Sequence, residues 1–164
     1  VGVEPSCVLG FMGDFEDLTS MPDKARKISE NTMLIEQFFM HAVEANGDVK
    51  FTNPPDGKRA VFHGHCHQKS LLGTSTAMEV LRKIPGLESV EIKSGCCGMA
   101  GSFGFFREHY EISMEIGDLS LFPAIRKEDK DVIVISEGVS CRQQIQQGTS
   151  KDSRHLVEVL AEYL

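Results

Sequence analysis

The amino-acid pattern predicts an α/β fold: a mostly parallel sheet flanked by helices, with cysteine-bearing loops at the C-terminal ends of its strands. Three observations predict it. Residues 131–136 (Asp-Val-Ile-Val-Ile-Ser) form a continuous β-branched run, the pattern of a strand at the centre of a parallel sheet. Residues 89–93 (Ser-Val-Glu-Ile-Lys) alternate apolar and polar with a period of two, like a half-exposed strand. Amphipathic helical patterns lie between the strand-like runs, and strands that alternate with helices favour parallel pairing.

Taken in order, residues 1–4 (Val-Gly-Val-Glu) read as an opening strand. Leu34, Ile35, Phe38, Phe39, Ala42 and Val43 then recur at helical spacing and make one apolar stripe, which Asn46-Gly47 ends well. Asn53-Pro54-Pro55-Asp56-Gly57 is a loop and an internal boundary. A mainly helical section precedes it and a repeating βα part follows. Residues 59–63 are a second strand, and residues 76–84 a short amphipathic helix closed by Pro85-Gly86. Residues 105–116 and 119–126 read as helices broken near Gly117. A helix is expected to start at residues 142–147, just after Cys141. Residues 155–164 close the chain with Leu156, Val157, Leu160 and Leu164 on one side.

With 164 residues the chain has the length of one domain with a real hydrophobic core. Its apolar fraction of 41% and charged fraction of 25% are those of a folded globular protein, not of a disordered chain. The longest apolar runs are far too short to span a bilayer. A net charge of −7, with no cluster of Lys or Arg to offset it, argues against nucleic acid and against an anionic membrane surface as partners. The chain begins at Val1, inside a strand-like run, and therefore reads as a piece of a longer polypeptide. Residues 1–7, ending in Glu4-Pro5-Ser6-Cys7, echo residues 134–141, ending in Glu137-Gly138-Val139-Ser140-Cys141. That echo suggests two related units, most of the first lying outside this chain.

The chemistry sits on the cysteines. There are five, Cys7, Cys66, Cys96, Cys97 and Cys141; an odd number without a secretion signal argues against a disulfide framework. Cys96 and Cys97 lie in a loop with Gly95, Gly98, Gly101 and Gly104 at every third position. Glycines let such a loop bring its amides close to a bound object and form an anion-binding concavity. Adjacent cysteines are strained as disulfide partners, so the pair is better explained as two thiolates aimed at one metal site; the bland alternative is two small buried residues. Cys66, the Cys96–Cys97 loop and Cys141 each follow a predicted strand. Parallel strands deliver their C-terminal ends to one edge, which brings these four cysteines together. His63, His65 and His67 flank Cys66; local hydrogen bonding, including a donation from His65 to the metal site, suits them better than ligation. Cys7 is either a ligand to a second centre or an unpaired thiol, and the unpaired thiol is favoured in this chain. Lys69, Arg107 and Arg142 could balance charge at the site or could be solvated surface. Met99, Phe103, Phe105 and Phe106 are expected to wall it off from water.

At His65-Cys66-His67-Gln68-Lys69, at residues 94–104 (Ser-Gly-Cys-Cys-Gly-Met-Ala-Gly-Ser-Phe-Gly) and at Gly138-Val139-Ser140-Cys141, the chain closely resembles the cysteine-rich CCG domain. That domain occurs in the iron–sulfur subunit of glycolate oxidase, in the C-terminal region of FAD-linked oxidases of D-2-hydroxy acids, and in heterodisulfide reductase. The resemblance covers residues 58–164. It implies that residues 1–57 are the tail of a preceding CCG unit plus a helical connection. It also implies an iron–sulfur cluster, 4Fe-4S in type, held by Cys66, Cys96, Cys97 and Cys141, with Gly95, Gly98, Gly101 and His65 around it. Gln144 stands where a further thiol of the family pattern would fall, which leaves four thiolates and keeps zinc as an alternative metal. The implied task is electron transfer within a larger oxidoreductase, with no catalytic residue in this part. FAD would sit in a partner domain or subunit, and an upstream CCG unit and a ferredoxin-like domain are further implied partners. The implied location is cytoplasmic, or at a membrane through those partners. A zinc-binding docking module and a thiol–disulfide redox domain are the competing readings.

Overall fold

The computed structural model describes residues 1–47, 49–52 and 57–164. Of the loop predicted at residues 53–57, residues 53–56 lie outside the described residues. Four strands, β1 (Lys58–His63), β2 (Leu87–Glu91), β3 (Ile133–Ser136) and β4 (Ser153–Arg154), form one sheet in the order β2-β1-β3-β4. Every pairing in it is parallel, as the β-branched run at residues 131–136 led us to expect. The two-residue edge strand β4 carries too little pattern to be read from sequence.

Helices supply both faces of the sheet. In β1, Ala60 and Phe62 point into one apolar cluster, and Val61 points into the other. The first cluster takes Met78 and Leu81 from α6 (Ser75–Arg82) and Leu156 and Leu160 from α10 (Leu156–Tyr163). Phe39 and Met40 of α4 (Ile35–Asn46) pack against it. The second takes Leu121, Phe122 and Ile125 from α8 (Leu121–Arg126) and Ile145 from α9 (Val139–Thr149). Cys97, Met99 and Cys141 belong to that second cluster, so the cysteine site is built onto the core. A sheet covered on both faces explains the continuous apolar run of its central strands.

Several expectations need correction. The strand expected at residues 1–4 is reduced to an isolated parallel bridge between Gly2 and Leu34. Pro5, whose fixed φ suits the first turn of a helix, starts α1 (Pro5–Met12), and α2 (Asp14–Leu18) and α3 (Pro22–Glu30) follow. The helix expected from residue 105 begins later, as α7 (Tyr110–Asp118), after a 3₁₀ turn at Phe103–Phe105. The N-terminal section is tied to the βα part: the Glu4 carboxylate accepts the Val139 N–H at 2.9 Å, and His155 Nε2 bonds the Val3 carbonyl at 2.8 Å.

Candidate functional site

Cys66, Cys96, Cys97 and Cys141 all line one pocket of about 240 Å³ at the C-terminal edge of the parallel sheet. They arrive from three different strand ends. Cys66 is the first residue of α5 (Cys66–Leu71), entered from β1 through Gly64 and His65. Cys141 is the third residue of α9, entered from β3 through Glu137 and the N-cap Gly138. Cys96 and Cys97 stand on the loop after β2. The expectation of cysteine-bearing loops therefore holds for one strand end; at the other two the cysteine lies in the first turn of a helix. There the unsatisfied N–H groups and the positive end of the helix dipole favour a negative ligand.

Cys66 adjoins Cys96, Cys96 adjoins Cys97, and Cys97 adjoins Cys141. Cys66 is exposed, Cys96 is half-buried, and Cys97 and Cys141 are buried. This crowding disfavours ionisation. The Cys141 thiol, with burial, pushes Cys97 up to about 12. Contact with Cys97 and then burial raise Cys96, and burial followed by Cys96 raises Cys66. Like groups this close become thiolates together when a cation takes them. Among the described residues, no three His, Cys, Asp or Glu side chains are grouped to hold a single metal ion.

The loop carrying Cys96 and Cys97 is braced on both sides. Before it, Lys69 Nζ donates to the carbonyls of Ser94 and Gly95 at 2.7 and 2.8 Å, and His63 Nδ1 bonds Ser94 Oγ at 2.8 Å. After it, Gly98 has φ +98°, and a Cβ there would run into the Ser113 carbonyl in α7. Ser113 Oγ donates to the Gly98 carbonyl at 2.9 Å, and Gln144 Nε2 donates to the Ser113 carbonyl and hydroxyl at 3.0 and 2.9 Å. The Gly98 N–H donates to Cys96 Sγ at 3.3 Å, the kind of amide–sulfur bond that stabilises a thiolate. Ala100, at φ +44°, holds a backbone conformation uncommon for a residue with a side chain.

Other expected site residues divide. Gly101 and His65 line the pocket. Gly95 does not; its carbonyl serves Lys69 instead. His65 caps α5, its Nδ1 accepting the His67 N–H at 3.2 Å, so the extended run of histidines ends at His65. His63 is fully buried, which lowers its pKa to about 3 and keeps it neutral. Gln144 stands away from the pocket, and its bond to Ser113 gives it a loop-bracing task that composition could not reveal. Gly138 is closer: a Cβ there would run into the His65 ring and lie 3.2 Å from Cys141 Sγ. Met99 is buried beside the site, whereas Phe105 and Phe106 are more than half exposed and do not wall it off. Cys7, the third residue of α1 as Cys141 is of α9, is exposed and lines a different hollow. Ser6, its neighbour, does line the cysteine pocket, as does Ser140. Arg107 is exposed, and Arg142 spends its guanidinium on the carbonyls of Ser136 and Glu137.

Comparison with known proteins gives these residues a context. The chain is 38% identical over 106 residues to a subunit of the anaerobic glycerol-3-phosphate dehydrogenase of Escherichia coli (strain K12), which covers 65% of this chain and 26% of that protein. It is 27% identical over 165 residues to D-2-hydroxyglutarate dehydrogenase of Pantoea ananatis, covering 100% of this chain and 15% of that protein. It is 33% identical over 92 residues to lactate utilization protein A of Bacillus licheniformis, covering 54% of this chain and 37% of that protein. The chain thus spans well under half the length of these relatives. No solved structure matches it. Among the described residues, no helix is long and apolar enough to cross a membrane. The cysteine-rich domain pattern called CCG matches residues 60–146, more than half of the chain and every pocket cysteine, and the chain belongs to that family.

Proposed function

We propose that this chain is an electron-transfer domain that holds an iron–sulfur cluster on Cys66, Cys96, Cys97 and Cys141. One observation carries the reading: the four thiols line a single pocket, yet among the described residues no three His, Cys, Asp or Glu side chains are grouped to hold a single metal ion. A tetrahedral zinc site needs four sulfurs within about 2.3 Å of one atom, which suits a knot of thiols, whereas a cluster spreads its ligands over several irons. The Gly98 N–H on Cys96 and the two helix N-termini fit a negatively charged group. When bound, such a cluster stores and releases single electrons. This chain's residues hold it, lower the cost of its charge and leave Cys66 at the open side of the pocket. Burial and mutual contact raise the thiols at 66, 96 and 97, which disfavours the thiol–disulfide reading, because that chemistry needs a stabilised thiolate.

The relatives are named for glycerol-3-phosphate, D-2-hydroxyglutarate and lactate, three substrates that each present a C–H beside a hydroxyl. We read this chain as part of a larger FAD-linked dehydrogenase or oxidase of such hydroxy compounds, a 2-hydroxy acid foremost. The flavin lies in a partner domain or subunit, with further iron–sulfur units upstream. We read residues 58–164 as the CCG unit and residues 1–57 as the tail of a preceding CCG unit plus a helical connection, a reading that the matching starts of α1 and α9 support. The test is anaerobic preparation with iron, sulfide and zinc analysis and an electron paramagnetic resonance spectrum. Iron and sulfide in equal amounts, with a cluster signal on reduction, are expected. A colourless protein with stoichiometric zinc overturns the reading.

A further inference from the structure

Three side chains outside the cysteine pocket form a buried polar cluster. Glu36, the second residue of α4, Gln68, the third of α5, and Glu137, just before the N-cap of α9, are each at most 2% exposed. Gln68 Nε2 donates to Glu36 Oε1 at 2.7 Å, and Glu137 adjoins both. Among the described residues, Glu36 Oε2, Gln68 Oε1 and both carboxylate oxygens of Glu137 are buried acceptors without a hydrogen-bond donor. The bare Glu137 carboxylate is the independent sign: a fully buried side chain with both oxygens unpartnered is satisfied by an added donor, not by more negative charge.

The neighbouring cations are engaged elsewhere. Lys69 of α5 is on the Ser94 and Gly95 carbonyls, and Arg142 of α9 is on the Ser136 and Glu137 carbonyls. At the N-cap of α1, Glu4 adds a third negative charge that acts on Glu137. His65 and His155 are held neutral by burial. Two bare carboxylates side by side in this setting repel each other, and a proton on one supplies the missing O–H donor. Burial pushes both carboxyls up, Glu137 furthest.

We propose that Glu36 and Glu137 form a proton-binding site, which holds one shared proton while the cysteine pocket is oxidised and takes a second when the pocket gains an electron. The inference rests on the electron-transfer reading above. The pair is joined to the pocket at two points: Gln68 lies two residues beyond Cys66, and Glu137 directly precedes Gly138, which abuts Cys141 Sγ. An added electron makes the pocket more negative and raises the proton affinity of a carboxylate nearby. In the step, a one-electron reductant supplies the electron to the pocket. A hydronium ion in the solvent supplies the proton and leaves as water, and the proton forms an O–H bond on the remaining carboxylate. No bond breaks in the protein, and the net charge of the domain is unchanged.

Infrared difference spectroscopy of the iron- and sulfide-reconstituted chain, reduced with dithionite, tests it. Before reconstitution, a buried carboxylic-acid C=O band is expected at neutral pH, and it should vanish in Glu137→Gln. On reduction a second such band should grow, and the midpoint potential should fall as pH rises; both effects should be lost in Glu36→Gln. Absence of the first band overturns the shared proton whatever the metal content. A normal first band with a pH-independent potential overturns the coupling. A protein that shows the first band yet assembles no cluster refutes the electron-transfer reading, and with it the coupling, but leaves the shared proton standing.

Discussion

Gly98→Ala and Gly101→Ala make a matched pair that isolates how the cysteine loop is held. Both glycines have positive φ, +98° and +67°, so each alanine variant carries a backbone penalty of about 1–2 kcal/mol. They differ in surroundings. A Cβ at Gly101 meets nothing within 4 Å, whereas a Cβ at Gly98 strikes the Ser113 carbonyl, which is part of helix α7 and cannot rotate aside. Overpacking of this kind costs a further ~1–3 kcal/mol. Gly98→Ala is therefore expected to lose about 2–5 kcal/mol and Gly101→Ala about 1–2 kcal/mol. Urea denaturation of both variants and the parent gives the comparison, with midpoint and slope read separately. Relief of the clash must move Cys96 and Cys97 or displace α7, so Gly98→Ala should also retain less iron after anaerobic reconstitution. Equal stability losses within about 0.5 kcal/mol, the resolution of such additive comparisons, would refute the claim that Ser113 sets the loop position.

Three further outcomes follow from the same geometry. Cys97→Ser or Cys141→Ser should abolish stoichiometric iron, while Cys7→Ser, whose thiol lies outside the pocket, should keep it; iron loss in the Cys7 variant would place the centre elsewhere. Lys69→Met removes two bonds to the Ser94 and Gly95 carbonyls. Because Lys69 is half-exposed the expected loss is about 1–3 kcal/mol, measurable by urea titration, and no change would mean that the loop is held without it. His63 has a folded-state pKa depressed to about 3 by burial, so between pH 6.5 and 3 the unfolded chain binds a proton that the folded chain does not. Its contribution to stability is complete above the unfolded pKa and falls with pH by about 1.4 kcal/mol per unit in that window. His63→Asn should flatten the acid limb of the stability profile relative to the parent, and parallel profiles would contradict a neutral buried His63.

The residue pattern alone specifies the central strands and the edge on which the four pocket cysteines collect. A β-branched run such as residues 131–136 suits few places other than a sheet covered on both faces, and parallel strands must bring the segments after them to one side. The same rule puts Cys66, Cys96, Cys97 and Cys141 at one pocket. Tertiary structure decided what depends on partners distant in the chain. Residues 1–4 have strand composition, but Pro5 and the lack of a long neighbour turn them into a single bridge to Leu34. Phe105 and Phe106 are aromatic enough for a wall, yet the 3₁₀ turn points them outward. Gln144 and Ser113 carry no sequence signal for bracing a cysteine loop, because their bond spans 31 residues between two helices. The same holds for Glu36, Gln68 and Glu137. Each reads alone as a solvated helix or turn residue, and burial makes them one cluster only when α4, α5 and the end of β3 close on one another. Local periodicity fixes which face a residue takes; it cannot say which other face will meet it.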